Sequence, residues 1–282
     1  MLLLLVACGM DPLGGVPDNA VRGRVCDPAN SLGVVGAEVS SGDAGTVTEP
    51  GGVFLLEGLA DGEHTLMVEK GRFSTMIDVE LDGVGVDLDE ACLDAGSVAV
   101  ALIRGGADDV GVVLDELGIT YDSYEDAQLL RDRDSLLQYD VLLLPSGIED
   151  TWTEQEQATG KVLEDFLVEG GSVYASGASS DLVDAAISED VEFIALDRGS
   201  MLRTKVLDDN MRKHLGSSDA TVEATSWTAM ATTDGRVLLQ ADAPIAATLD
   251  VGEGRLTYTS FHYGPDVNED TWMLLEEMLL SL

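Results

Sequence analysis

From residue 21 the chain alternates in twos. Val21, Gly23 and Val25 fall on one side, with Arg22, Arg24 and Cys26 on the other. That period predicts a half-buried strand over Val21–Cys26. Similar short runs follow at Gly36–Ser40, Val53–Leu56, Glu63–Glu69 and Ser74–Leu81. Turns rich in Gly, Asp and Pro separate them, such as Glu49-Pro50-Gly51-Gly52 and Ala60-Asp61-Gly62. Short strands at this spacing predict a β-sandwich over residues 20–94.

The pattern changes at Gly96. Ser97–Ile103 is a continuous apolar run, and Asp108–Leu117 has helical spacing, Asp at its start and Gly118 as its stop. A short strand at Thr120–Tyr124 and a weak helix or loop at Asp126–Asp134 follow, then an apolar strand at Asp140–Pro145. Glu154–Glu169 is amphipathic, with Val162, Leu163, Phe166 and Leu167 together. A Gly-Gly turn leads to a buried strand at Ser172–Ala175, a sharp turn at Ser176-Gly177-Ala178 and a helix at Asp181–Ile187. Strand–helix alternation of this kind predicts a doubly wound parallel sheet over residues 96–282. Val191–Asp197 and Met201–Leu207 are expected to extend it, and Thr221–Trp227 and Arg236–Ala241 to run antiparallel. Ala246–Leu249 and Arg255–Phe261 return to the core, and Asn268–Ser281 closes the chain as a helix with Trp272, Leu274, Leu275 and Met278 inward.

Charge narrows the partners. The 282 residues carry 53 acidic against 15 basic side chains, a formal net charge of −38. Such a surface repels nucleic acid and anionic lipid and keeps a chain in solution. Two readings of the excess remain open, a solvated or salt-adapted surface and cation binding by some of the carboxylates. Asp78, Glu80, Asp82, Asp87, Asp89, Glu90 and Asp94 form an acidic patch, but Asp78, Glu80 and Asp82 alternate along a strand and share a solvent face. Calcium needs oxygens converging from a tight loop. With three histidines and no spaced His/Cys set, no zinc site is expected. The loop Arg104–Asp109 carries two glycines without the G-x-G-x-x-G spacing of a dinucleotide site. No metal and no cofactor is called for.

The first seven residues, MLLLLVA, are apolar but too short to span a bilayer, and they end at Cys8. Leu5-Val6-Ala7-Cys8 resembles the bacterial lipobox. The resemblance implies a signal segment over residues 1–8, acyl chains on Cys8 and an anchor in the cell envelope. With no Asp after Cys8, it implies the outer membrane. The alternative is a chance Cys after an apolar start. Residues 9–19, with Pro12, Gly14, Gly15 and Pro17, read as a tether. Downstream of an export signal, Cys26 and Cys92 are a candidate disulfide, the alternative being two separate buried thiols.

Two further resemblances follow from motifs. VRGRVCDP, GAEVS and TEPGGVFLLEGLADGEHTLMVEKGRF are similar to the carboxypeptidase regulatory-like domain, a transthyretin-like β-sandwich. Thr48, Gly52, Phe54, Gly58, Leu59, Gly62, Leu66 and Gly71 stand at its recurring places, and His64 replaces the usual Tyr. That family is non-catalytic. Residues 96–282 resemble the class I glutamine amidotransferase-like fold, a flavodoxin-like sheet. The matching runs are DVLLLPSG (140–147), FLVEGGSVYASGAS (166–179) and GEGRLTYTSFHYGPD (252–266). The chain thus reads as a β-sandwich domain followed by an α/β domain.

The amidotransferase resemblance implies a nucleophile at the elbow, a base on the late strand and an acid two residues after it. Ser176 stands where that family has Cys, His262 is the base, and Gly264 occupies the acid's place, with Asp266 beyond. A serine-peptidase branch reads G-x-S-A-G, whereas this run is Tyr174-Ala175-Ser176-Gly177-Ala178. Three functions stay open. The first is a non-catalytic envelope protein that binds a small ligand or envelope partner through a degenerate cleft lined by Gly147, Trp152, Gly177, Ser179 and Tyr263 together with Ser176, His262 and Asp266. The second is a serine hydrolase or amidase with Ser176 as nucleophile, His262 as base, Asp266 orienting it, and the Gly147 and Gly177 amides as oxyanion donors. The third is a purely structural surface module.

Overall fold

The computed structural model describes residues 15–29, 32–148, 156–187, 191–195, 201–223, 228–232, 235–261, 263–264 and 267–282. The first eight strands are Ala20–Cys26 (β1), Glu38–Ser41 (β2), Ala44–Val47 (β3), Val53–Glu57 (β4), Gly62–Lys70 (β5), Phe73–Leu81 (β6), Val86–Asp87 (β7) and Ala91–Cys92 (β8). They form two four-stranded sheets, one ordered β4-β1-β7 with β8 also on β1, the other β3-β2-β5-β6. Val21, Phe54 and Leu56 of the first sheet and Val39, Leu66 and Val68 of the second are buried in one cluster. Side chains of this size contribute roughly 1.5–3 kcal/mol each when withdrawn from water. β8 runs parallel to β1 with Cys26 opposite Cys92, and a disulfide joins them across a Cα separation of 4.3 Å.

The remaining strands are Val100–Ile103 (β9), Asp122–Tyr124 (β10), Val141–Leu144 (β11), Ser172–Ser176 (β12), Glu192–Ala195 (β13), Met201–Val206 (β14), Asp219–Glu223 (β15), Thr228–Thr232 (β16), Arg236–Gln240 (β17), Pro244–Val251 (β18) and Gly254–Thr259 (β19). The helices are Val110–Glu116 (α1), Arg133–Leu136 (α2), Glu156–Val168 (α3), Ser180–Ile187 (α4), Asp209–Leu215 (α5) and Glu269–Leu280 (α6). This part is mixed α/β. Nine strands form one sheet in the order β10-β9-β11-β12-β19-β18-β17-β14-β15. The first five are parallel and the last four antiparallel. β9 and β11 are buried at every position, the mark of strands covered on both faces.

Three expectations change. β13 does not extend the large sheet. It pairs antiparallel with β16 in a sheet of its own, and Phe193 lays its ring edge-on against Tyr258 at 5.0 Å. β14 does join the large sheet, but antiparallel to β15 and β17. A short run of strand-forming residues states that a strand forms and not which sheet receives it. Helix α5 has no counterpart among the expected elements, because Met211 is its one buried residue and no apolar stripe marks it. Its caps are nonetheless in the sequence. Asp208 accepts from the Met211 amide at 2.9 Å, and Gly216 ends it in the left-handed region.

The two parts share a core. The apolar cluster that starts in β1 continues without a break into β9, α1 and α6. Across the junction Lys70 Nζ donates to the Val35 carbonyl at 2.9 Å and pairs with the Glu277 carboxylate of α6. Lys70 and Glu277 are only 4% and 3% exposed. At the far edge of the sheet, Asn268 donates to the Thr221 carbonyl at 3.0 Å and Asp270 accepts its amide at 2.8 Å. The start of α6 thereby satisfies part of the exposed edge of β15. Among the described residues no helix is long and apolar enough to cross a membrane.

Candidate functional site

In open α/β sheets ligands sit beyond the carboxyl ends of the strands, where the strand order reverses. Here the reversal falls at β9, with β10 on one side and β11 on the other. The loops leaving β9 and β11 meet there and are stitched backbone to backbone. Gly106 N donates to Gly147 O at 2.8 Å, and Ala107 N to Ser146 O at 3.3 Å. Gly147 has φ +85°, and a Cβ on it would lie 2.7 Å from Ala107 N. The close approach therefore requires glycine at this position.

Behind this seam lies a buried polar cluster. Asp108, carried by the β9–α1 loop, is 5% exposed. Its Oδ2 accepts the hydroxyl of Ser176, and its Oδ1 accepts the Tyr263 amide at 3.0 Å. Asp109 N in turn donates to Tyr263 O at 3.0 Å, so the β9–α1 loop and the segment after β19 are held by two reciprocal bonds. Ser176 Oγ also accepts the Ser146 amide at 2.9 Å. Burial pushes the Asp108 carboxyl up to about 7, although the hydrogen bonds from Ser176, Tyr263 and Ser146 pull the other way. Tyr174, fully buried on β12, donates to or accepts from Thr259 Oγ1 at 3.0 Å, and burial raises its phenol well above the usual range.

The placement of the expected site residues is corrected accordingly. Ser176 is fully buried and is the last residue of β12, with φ −134° and ψ 149°. A nucleophile elbow strains its nucleophile and holds the oxygen at the surface. Here the left-handed residue is the next one, Gly177, at φ +53°. Ser176 therefore points inward, where Asp108 and Ser146 occupy its oxygen. Gly177 O accepts the Tyr258 hydroxyl at 2.8 Å, Ser179 Oγ donates to Pro145 O at 3.0 Å, and Ala178 N donates to Ser146 Oγ at 3.2 Å. Gly177 and Ser179 are buried at the β12 end, Gly147 is half-buried in the loop after β11, and all three make the contacts given above. Trp152, His262, Asp266 and Cys8 lie outside the described residues.

Tyr263 does border a cleft. It is a hollow of about 490 Å³ between the β9–α1 loop, the first turns of α1, Tyr121 and Tyr263–Gly264. A volume of this size is that of a small-molecule site. Asp108, Asp109 and Tyr121 were not among the expected site residues. Asp108 stands at a strand-to-helix loop in an α/β pattern, a position that could have been flagged. Nothing local announces that it is buried.

No family model matches the chain, and no curated protein matches it. Solved structures resemble it at low identity. A candidate GMP synthase subunit from Thermoplasma acidophilum has 12% identity and a TM-score of 0.49, covering 65% of this chain and 94% of its own. A cytoplasmic protein of Salmonella typhimurium has 12% identity and a TM-score of 0.47, covering 65% and 97%. A glutamine amidotransferase from Thermotoga maritima has 11% identity and a TM-score of 0.42, covering 58% and 75%.

Proposed function

We propose that this is a non-catalytic binding protein, anchored to a bacterial cell envelope through lipid on Cys8. In this reading a carboxypeptidase regulatory-like sandwich over residues 20–94 carries a degenerate amidotransferase-like unit over residues 96–282. That unit binds a ligand or protein partner at the cleft beside Tyr263.

One observation carries the reading. The hydroxyl at the expected nucleophile position, Ser176, is buried and donated to Asp108. A serine nucleophile needs a free oxygen, a neighbouring base and an oxyanion hole. Ser176 instead accepts from one backbone amide and donates to a carboxyl that burial favours in its neutral form. The strand order β10-β9-β11-β12-β19 supports the flavodoxin-like part, and the paired four-stranded sheets support the sandwich part.

The test is a fluorophosphonate probe on the purified protein. No adduct on Ser176 is expected. A stable adduct there, removed by Ser176→Ala, would overturn the proposal in favour of a serine hydrolase. For the anchor, a lipid precursor should label the wild type and not Cys8→Ser, and equal labelling would remove that part alone.

A further inference from the structure

We propose that the cleft beside Tyr263 takes a small organic cation, an ammonium group carrying methyl or other alkyl substituents. This rests on the reading of the cleft as a binding site and names its ligand class.

The walls are aromatic and acidic together. Tyr121 and Tyr263, both half-buried, border the hollow, and so do the exposed Asp109 and Asp115. The carboxylates and the rings line one hollow. Burial first, then Asp115 and Asp109, raise the Tyr121 phenol, against an opposing pull from Arg104. Burial first, then Glu116 and Asp109, raise the Tyr263 phenol. Asp109 thus lines the same hollow as both tyrosines, and its charge acts on each phenol. A cation over an aromatic face is held by the ring quadrupole, and nearby carboxylates add to the attraction.

The one cation among the described lining is Arg104. Its Nε donates to Ser123 Oγ at 2.7 Å and lies 3.5 Å from Glu125. Both tyrosines are fixed. The Tyr263 ring meets Trp272 edge-on at 5.7 Å, and its backbone is clasped by Asp108 and Asp109. Tyr121 lies across α1 over Gly111, where an added Cβ would fall 3.1 Å from the tyrosine oxygen. Preformed rings lose little freedom on binding. The net charge of −38 surrounds the mouth with a field that concentrates cations and repels anions.

Calorimetric titration of the purified protein with choline chloride, and with the neutral isostere 3,3-dimethyl-1-butanol, tests the class. Choline should bind saturably and at least tenfold more tightly than the alcohol. Tyr121→Leu and Tyr263→Leu should each weaken it about fivefold or more, while Tyr121→Phe and Tyr263→Phe keep most of it. On the wild type, saturation-transfer NMR should place the choline methyls beside tyrosine ring protons, so the test does not depend on the Leu variants folding. Equal binding of choline and alcohol, no saturable choline binding, or unchanged binding in folded Leu variants would overturn the proposal. None of these outcomes alters the fluorophosphonate result at Ser176, which alone decides between binding protein and hydrolase.

Discussion

Asp108 and Ser176 are 68 residues apart in sequence and share one hydrogen bond in the buried seam between the β9–α1 loop and the end of β12. The bond occupies the serine hydroxyl and ties Asp108 to the sheet. Asp108 in turn holds the Tyr263 backbone, so a buried carboxyl positions a wall of the cleft.

Asp108 makes stability depend on pH with a definite sign. Its folded value, about 7, lies above the ordinary carboxylate value, so the folded state holds the proton more tightly than the unfolded chain. The contribution is complete below about pH 4 and is lost as pH rises through about 7. The interval corresponds to at most ~4 kcal/mol. Urea melts from pH 4 to 8 should show wild type losing stability relative to Asp108→Asn, which does not titrate. A difference that stays flat across this range would refute the assignment.

Ser176→Ala removes the hydroxyl that Asp108 Oδ2 and the Ser146 amide both bond in a buried place, while Asp108 keeps its bond from the Tyr263 amide. We expect a loss of about 1–3 kcal/mol in stability. Ser176→Thr keeps the hydroxyl and is expected to lose less, unless its methyl finds no room. A chemical melt of the Ala variant indistinguishable from wild type would contradict the network.

Lys70 and Glu277 join the two parts of the chain through a buried ion pair. Removing one partner strands the other charge, typically at a cost of roughly 3–5 kcal/mol, while replacing both with apolar groups is often neutral. Lys70→Met should therefore destabilise strongly, and Lys70→Met with Glu277→Leu should recover most of the loss. If the double variant melts no higher than the single one, the pair is not what stabilises this junction.

The Cys26–Cys92 bond closes a loop with a sequence separation of 66. In the chain-entropy model a loop of that length stabilises by about 4 kcal/mol. Denaturant melts with and without reductant should differ by an amount of that order. Intact-mass analysis under non-reducing and reducing conditions should show two hydrogens gained. Two free thiols in the untreated protein would contradict the pairing.

Much of the architecture was legible along the chain because it rests on local periods. Alternation in twos marked β1, short runs between turn residues marked β4, β5 and β6, and mostly apolar runs marked β9, β11 and β12 within a few residues. The amphipathic spacing of Val162 to Leu167 marked α3, and turn glycines marked the breaks. Those signals depend only on which side chains can face water. What the tertiary structure decided was everything that depends on which distant element does the burying. It placed β13 against β16, turned β14 antiparallel, and ran one core through both parts of the chain. It also settled the orientation of Ser176. A single turn residue, Gly177 rather than Ser176, takes the left-handed conformation, and a carboxyl 68 positions away occupies the hydroxyl. No local pattern encodes that, because the free energy of burying Asp108 exists only once the loops after β9, β11 and β19 have closed over it.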